Sequence, residues 1–165
     1  MKILIAYATR GGTSREAAEL LASLLPNHDV TLADLTQESP DPSDFAYLVL
    51  GGAVLFGKAH KALRKYLKRY EGEIAARKRS FFLCCAEAEQ LENYFERSIA
   101  PTLLEGAQDC LYFGGDLSLH RFHGFDRLLV RMVRNAIKES EEADAMLPGF
   151  LPEHVRLLAD RIRPL

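Results

Sequence analysis

The stretch TRGGTS, residues 9–14, combines two glycines with three hydroxyls and an arginine. Gly11 and Gly12 admit backbone angles that other residues resist, and they leave main-chain N–H groups open to a ligand. Thr9, Thr13 and Ser14 add hydroxyl donors, and Arg10 adds either charge or a solvent-facing side chain. Thr13 and Glu16 have the spacing of a capping box for a helix that starts here. The free N–H groups and positive dipole end of that helix then face the loop. Such a cup suits an anion, and a phosphate best. The spacing is neither G-x-x-x-x-G-K-S/T nor G-x-G-x-x-G, so ATP and NAD are poorly supported. A monophosphate held by hydroxyls and amides fits better. The competing reading is an ordinary tight turn from strand to helix.

Two other places invite chemistry. His60 lies where a helix begins. A neutral imidazole there donates to a ligand near pH 7, or it is a surface residue beside a cap. Cys84 and Cys85 are adjacent, so in a strand they face opposite sides of a sheet. No CxxC and no metal-ligand cluster accompanies them, so buried, inert thiols are expected and no metal site is. Three cysteines cannot all pair within one chain, which points to a reducing compartment.

The elements that must position these residues alternate. Residues 1–8 are apolar apart from Lys2 and read as a strand buried on both faces. A leader peptide is the poorer reading, because no small-residue cleavage site follows. Residues 13–25 form a helix stopped by Pro26. Strands are expected at 29–33, 45–51, 80–86 and 107–114. Helices are expected at 58–77, at 91–104 with a break near Pro101, at 124–140 and at 152–162. The 124–140 helix is expected to turn Phe125, Leu128, Leu129, Met132, Val133, Ala136 and Ile137 inward. Apolar strands alternating with helices mean a mostly parallel sheet covered on both faces. Ligands of such sheets collect at the carboxyl ends of the strands, which singles out loops 9–14, 52–60, 86–91 and 114–123.

The whole chain sets bounds. Its length suits one domain, residues 1–165, with a sizeable core. A net charge of -2 gives no sign of a nucleic-acid binder. No apolar run of about 18 residues is present to span a membrane. Residues 58–79 nevertheless hold nine Lys or Arg against Glu71 and Glu73, and Arg127, Arg131, Arg134 and Lys138 follow later. Such faces are often merely solvated. They also steer anionic substrates or redox partners, or favour an anionic membrane surface.

TRGGTS resembles the phosphate loop of flavodoxins, usually written T/S-x-T/R-G-x-T. Residues 51–69, GGAVLFGKAHKALRKYLKR, are similar to a segment of the short bacterial menaquinone-dependent protoporphyrinogen oxidases. Gly51, Gly52, Val54, Gly57 and His60 carry that match. Gly115, Leu117, Phe125, Asp126 and Arg127 fit the same family's last loop and basic helix. Two segments depart from it. Leu119, His120, Arg121, Phe122 and His123 replace an aromatic-rich loop, and ESEEADAM at 139–146 replaces a GG-E/D-T-D/N-T pattern.

The resemblance implies a flavodoxin-like α/β fold, a doubly wound five-stranded parallel sheet of order 2-1-3-4-5 in three layers. It implies FMN as cofactor. Thr9, Arg10, Gly11, Gly12, Thr13 and Ser14 then surround the phosphate. Ala53, Val54, Leu55, Phe56 and Gly57, with Ala86, Glu87 and Ala88, flank the flavin ring. Phe56 is the stacking candidate, or else a core residue at a strand end. His60, Arg121 and His123 are the polar groups expected on the substrate side. The implied activity is an FMN-dependent oxidoreductase that passes electrons from reduced protoporphyrinogen to a quinone. The alternative is a flavodoxin-like electron-transfer protein with a redox partner and no substrate turnover of its own. A response-regulator-like domain is disfavoured, since no acidic cluster follows the first strand. The implied location is the cytoplasm, with peripheral contact at the inner face of the cell membrane left open.

Overall fold

The computed structural model describes residues 1–85, 88–115, 121, 123–139 and 149–165. Strand β1 (Lys2–Ala8) pairs in parallel with β2 (Asp29–Asp34) on one side and β3 (Tyr47–Leu55) on the other. β5 (Lys78–Cys84) and β6 (Asp109–Tyr112) extend the sheet, giving the order β2-β1-β3-β5-β6. With β5 and β6 as the fourth and fifth parallel strands, this is the expected flavodoxin-like order.

The period-two alternation of the strands sorts the core into two layers. Ile3, Ile5 and Tyr7 face α1 (Thr13–Ser23) and α7 (Pro152–Ile162), meeting Ala17, Leu21, Val155 and Leu158. Leu4, Ala6 and Ala8 face the other way, toward Leu63, Tyr66, Ile74 and Phe95. Those residues come from α2 (Lys61–Arg69), α3 (Glu71–Ala75) and α4 (Leu91–Ser98). The short α5 (Pro101–Leu104) completes that layer with Leu103. Cys84 joins the first layer and Cys85 the second, both buried, as adjacent positions should.

Three sequence expectations need correction. β3 runs on to Leu55 and turns back through a short strand, β4 (Lys58–Ala59), so helix begins at Lys61 and not at Lys58. Ser98 Oγ of α4 accepts the Ala59 N–H at 2.9 Å and holds the returning strand down. The 58–77 helix also breaks at Tyr70, just before Gly72, a poor helix former.

The third correction concerns α6 (Gly124–Glu139). Phe125, Leu128 and Met132 are 71%, 53% and 56% exposed, while Val130 is buried. Phe125, Leu128 and Met132, expected to face inward, therefore face outward. The expectations for 139–146 lie largely outside the described residues.

At the amino ends of the strands sits Arg79, counted from sequence among the basic face but only 4% exposed. Its guanidinium donates to the carbonyls of Ala75, Arg77, Thr102, Leu103 and Glu105 at 2.6–3.2 Å. Arg77 also turns aside, donating to Ser43 O at 2.9 Å. A cavity of about 510 Å³ at this end borders Arg77, Arg79, Thr102 and Gln108. It lies across the sheet from loop 9–14, and Arg79 already occupies carbonyls along its wall.

Candidate phosphate cup and hairpin site

The loop between β1 and α1 closes on itself. Thr9 Oγ1 accepts the Gly12 N–H at 2.9 Å. Gly12 takes φ 90°, a left-handed angle that a residue with a Cβ resists. Gly12 is the N-cap of α1, and no side chain caps the helix. The expected Thr13–Glu16 capping box is therefore not formed. The first-turn amides face the cup without a side-chain partner, which is the arrangement an anion uses.

Ser14 sharpens this reading. Its side chain is fully buried, and among the described residues its Oγ has no hydrogen bond of ordinary geometry. The nearby Cys84 thiol is a weak partner at best. Burial pushes that thiol up to about 12, partly countered by Ser14, so it is a poor thiolate source. Arg10 Nε is likewise buried without a partner among the described residues. An orphaned hydroxyl and an orphaned N–H beside an uncapped helix start fit a phosphate.

Two ion pairs flank the cup, and spacing alone foretold neither. Arg10 Nη1 donates to Asp126 of α6 at 2.8 Å. Arg121 Nη1 and Nη2 both reach Glu16 Oε2 at 3.3 Å. The partners lie 116 and 105 residues apart. The resemblance at Asp126 was the available signal for the first pair. Glu16 was read from sequence as part of a cap, so the second pair had none.

The second wall is the β3–β4 hairpin. Leu55 pairs with Lys58, leaving Phe56 and Gly57 as a two-residue turn. Their φ values of 53° and 73° match a type I′ turn, which favours Asn-Gly. Phe56 is thus a bulky residue in a left-handed angle and is 60% exposed, not a core residue. Ala53, Val54 and Leu55 approach the turn half-buried. Phe56→Asn should stabilise the protein by about 0.5–1 kcal/mol by relieving this angle. Urea midpoints for the two proteins test it; an unchanged or lower midpoint would show that Phe56 is not strained.

His60 is the N-cap of α2, its Nδ1 accepting the Ala62 N–H at 3.1 Å. That assignment places the proton on Nε2. Burial lowers its pKa below the ordinary value of about 6.5, and Arg10 adds to the effect. Asp126 and Asp34 oppose the shift, while Arg64 reinforces it. The unfolded chain therefore binds the proton more readily than the folded one. Stability from His60 is present above about pH 6.5 and is lost as pH falls through the lowered folded value. Asparagine keeps a capping oxygen and cannot titrate. His60→Asn should thus lose less stability than the parent between pH 7.5 and 5.5 in denaturant titrations. Equal losses in both proteins would rule out His60 as the source.

His123 is exposed beside the start of α6, where its carbonyl accepts the Arg127 N–H at 3.4 Å. Arg121 lies beside loop 9–14 against Glu16, not in a described cluster with His60 or His123. Ala88 opens a short 3-10 turn, Ala88–Gln90, and Ala86 and Glu87 lie outside the described residues. Among the described residues, no group of three or more His, Cys, Asp or Glu could hold a metal ion.

Sheet order and loop placement together define a doubly wound α/β domain of flavodoxin type. The chain belongs to the flavodoxin domain family, whose match covers residues 4–144. It is 24% identical over 143 residues to the protoporphyrinogen IX dehydrogenase (quinone) of Escherichia coli strain K12, covering 81% of this chain and 78% of that protein. Among solved structures it resembles the Fusobacterium nucleatum flavodoxin bound to flavin mononucleotide. The TM-score is 0.52 at 15% identity, over 68% of this chain and 70% of that one. It also resembles rubredoxin oxygen:oxidoreductase from Desulfovibrio gigas, with TM-score 0.55 at 12% identity, over 83% of this chain and 36% of that one.

Proposed function

We propose that this protein binds FMN and carries electrons between a donor and an acceptor. The observation that supports it most is the buried Ser14 hydroxyl, without a hydrogen bond of ordinary geometry among the described residues, beneath the uncapped start of α1. Thr9, Arg10, Gly11, Gly12, Thr13 and Ser14 hold the phosphate. Ala53, Val54, Leu55, Phe56 and Gly57 form one wall for the ring, with Phe56 offering its exposed face for stacking. Ala88, at the start of the 3-10 turn, is the described candidate for the opposite wall. Bound FMN supplies reversible electron chemistry that side chains lack, while the protein orients it and shields it from water. The test is the visible spectrum of purified protein after FMN is added and the excess removed by gel filtration. Retained flavin bands are expected; a colourless protein would end this reading.

A finer reading adds a substrate: oxidation of a protoporphyrinogen-like compound with a quinone as acceptor. The Escherichia coli relative supports it, and so does the outer face of α6. There Phe125, Leu128 and Met132 recur on one side, with Arg127 and Arg131 exposed beside them. An apolar stripe with basic flanks suits the surface of an anionic bilayer, where lipid-soluble quinones reside. No helix among the described residues is long and apolar enough to cross a membrane. His60 and His123 remain substrate-side candidates. A quinone-linked assay with reduced porphyrinogen separates the readings: turnover selects the oxidase, and partner-dependent flavin reduction without turnover selects the carrier.

A further inference from the structure

Arg121 stands over the phosphate cup. Its Nη1 lies 4.0 Å from where a Cβ on Gly12 would sit. It is reached from beyond β6, far along the chain from the loop it covers. This guanidinium rests on Glu16, in the first turn of α1. Glu16 therefore places a negative charge at the helix end whose amides await an anion.

The pair itself is weak. Both hydrogen bonds share one carboxylate oxygen at 3.3 Å, and the Glu16 side chain is about half exposed. A phosphate dianion offers several oxygens and twice the charge, which a planar guanidinium engages through paired hydrogen bonds. It also carries no covalent link to α1, so it can settle where the amides and Ser14 Oγ converge. Such an exposed carboxylate gives up its partner at little cost.

We infer that Arg121 exchanges Glu16 for the phosphate of the bound flavin nucleotide, closing the cup and selecting a phosphorylated flavin over an unphosphorylated one. This rests on the FMN reading above. Glu16 acts as a placeholder that keeps the arginine poised and competes with the ligand. The two residues consequently act with opposite sign. Removing the arginine weakens phosphate binding, and removing the carboxylate strengthens it.

The test compares FMN with riboflavin, which lacks only the phosphate. Flavin fluorescence titrations would be run on the parent, Arg121→Gln and Glu16→Gln. Arg121→Gln should lose about tenfold in FMN affinity, the scale of one charged hydrogen-bond pair, with riboflavin affinity unchanged. Glu16→Gln should gain about threefold for FMN, again with riboflavin unchanged. The parent's FMN affinity should also fall with added salt more steeply than its riboflavin affinity. Equal effects on both flavins, or a loss in Glu16→Gln, would overturn the exchange while leaving FMN binding intact. A parent that binds neither flavin would instead overturn the FMN reading and this inference with it.

Discussion

Ser14→Ala should make the ligand-free protein more stable and its hold on FMN weaker. The opposite signs come from one atom. In the folded chain, Ser14 Oγ is buried with no sound hydrogen bond among the described residues. The unfolded chain hydrates that hydroxyl, so folding strips it of water in return for no more than a weak thiol contact. Alanine removes the liability and leaves only a hydroxyl-sized gap beside Cys84, for a net gain of about 1 kcal/mol. A phosphate in the cup changes the balance, because the same hydroxyl then donates to a charged oxygen. Losing that bond costs about 1.5–3 kcal/mol, or roughly 10–100-fold in affinity. Urea unfolding without ligand gives the first sign, and a flavin titration gives the second. A variant that is less stable and binds FMN as before would make Ser14 an ordinary structural residue.

Arg79→Met should cost about 3–5 kcal/mol of stability, by analogy with breaking a buried charged network. Arg79 is tied to five carbonyls, contributed by the ends of α3 and α5 and by the chain entering β5. Methionine matches much of the volume but donates nothing. It strands those carbonyls at helix C-termini, where orphaned acceptors gather. Arg79→Lys should recover little, because one ammonium has three donors and cannot bridge both helices as the planar fork does. FMN affinity should be unchanged in the folded protein, since Arg79 lies at the far end of the sheet from the cup. A midpoint within about 1 kcal/mol of the parent would show that water replaces the guanidinium, and would sink this account.

The fold was legible because the strands announce themselves. Residues 3–8 and 47–50 are unbroken apolar runs, and a strand that must be dry on both faces has little other way to be written. The tight loop after β1 was legible for similar reasons, since its glycines and hydroxyls are local. The hairpin at Phe56 was not, because its turn lacks the Asn-Gly pair that marks type I′ geometry. Sequence placed Lys58 and Ala59 in a helix on periodicity, whereas pairing with Val54 and Leu55 decides their state. Arg79 looked like one more surface cation, because burial of a charge depends on carbonyls contributed by distant turns. Phe125, Leu128 and Met132 of α6 were read inward because a helical period reveals a face but not which way it points. The pairs Arg10–Asp126 and Arg121–Glu16 join distant parts of the chain, and no spacing rule reaches that far.

The bridge at the edge of β6 carries a different kind of consequence. The chain departs the sheet at Gly114 and comes back to pair with it at Phe150, and Leu151 N–H donates to Phe113 O at 3.0 Å. Departure and return are thus fastened side by side, like the neck of a drawstring bag. What hangs from that neck can lengthen or shorten at small entropic cost, since loop closure grows only as the logarithm of length. The cup is built from β1 and α1, which the neck leaves undisturbed. Among the described residues, Arg121 and Asp126 reach from the bag's contents to that cup. A lineage could therefore rewrite α6 to suit a new partner while inheriting loop 9–14 unchanged, provided two arginine contacts are kept or replaced.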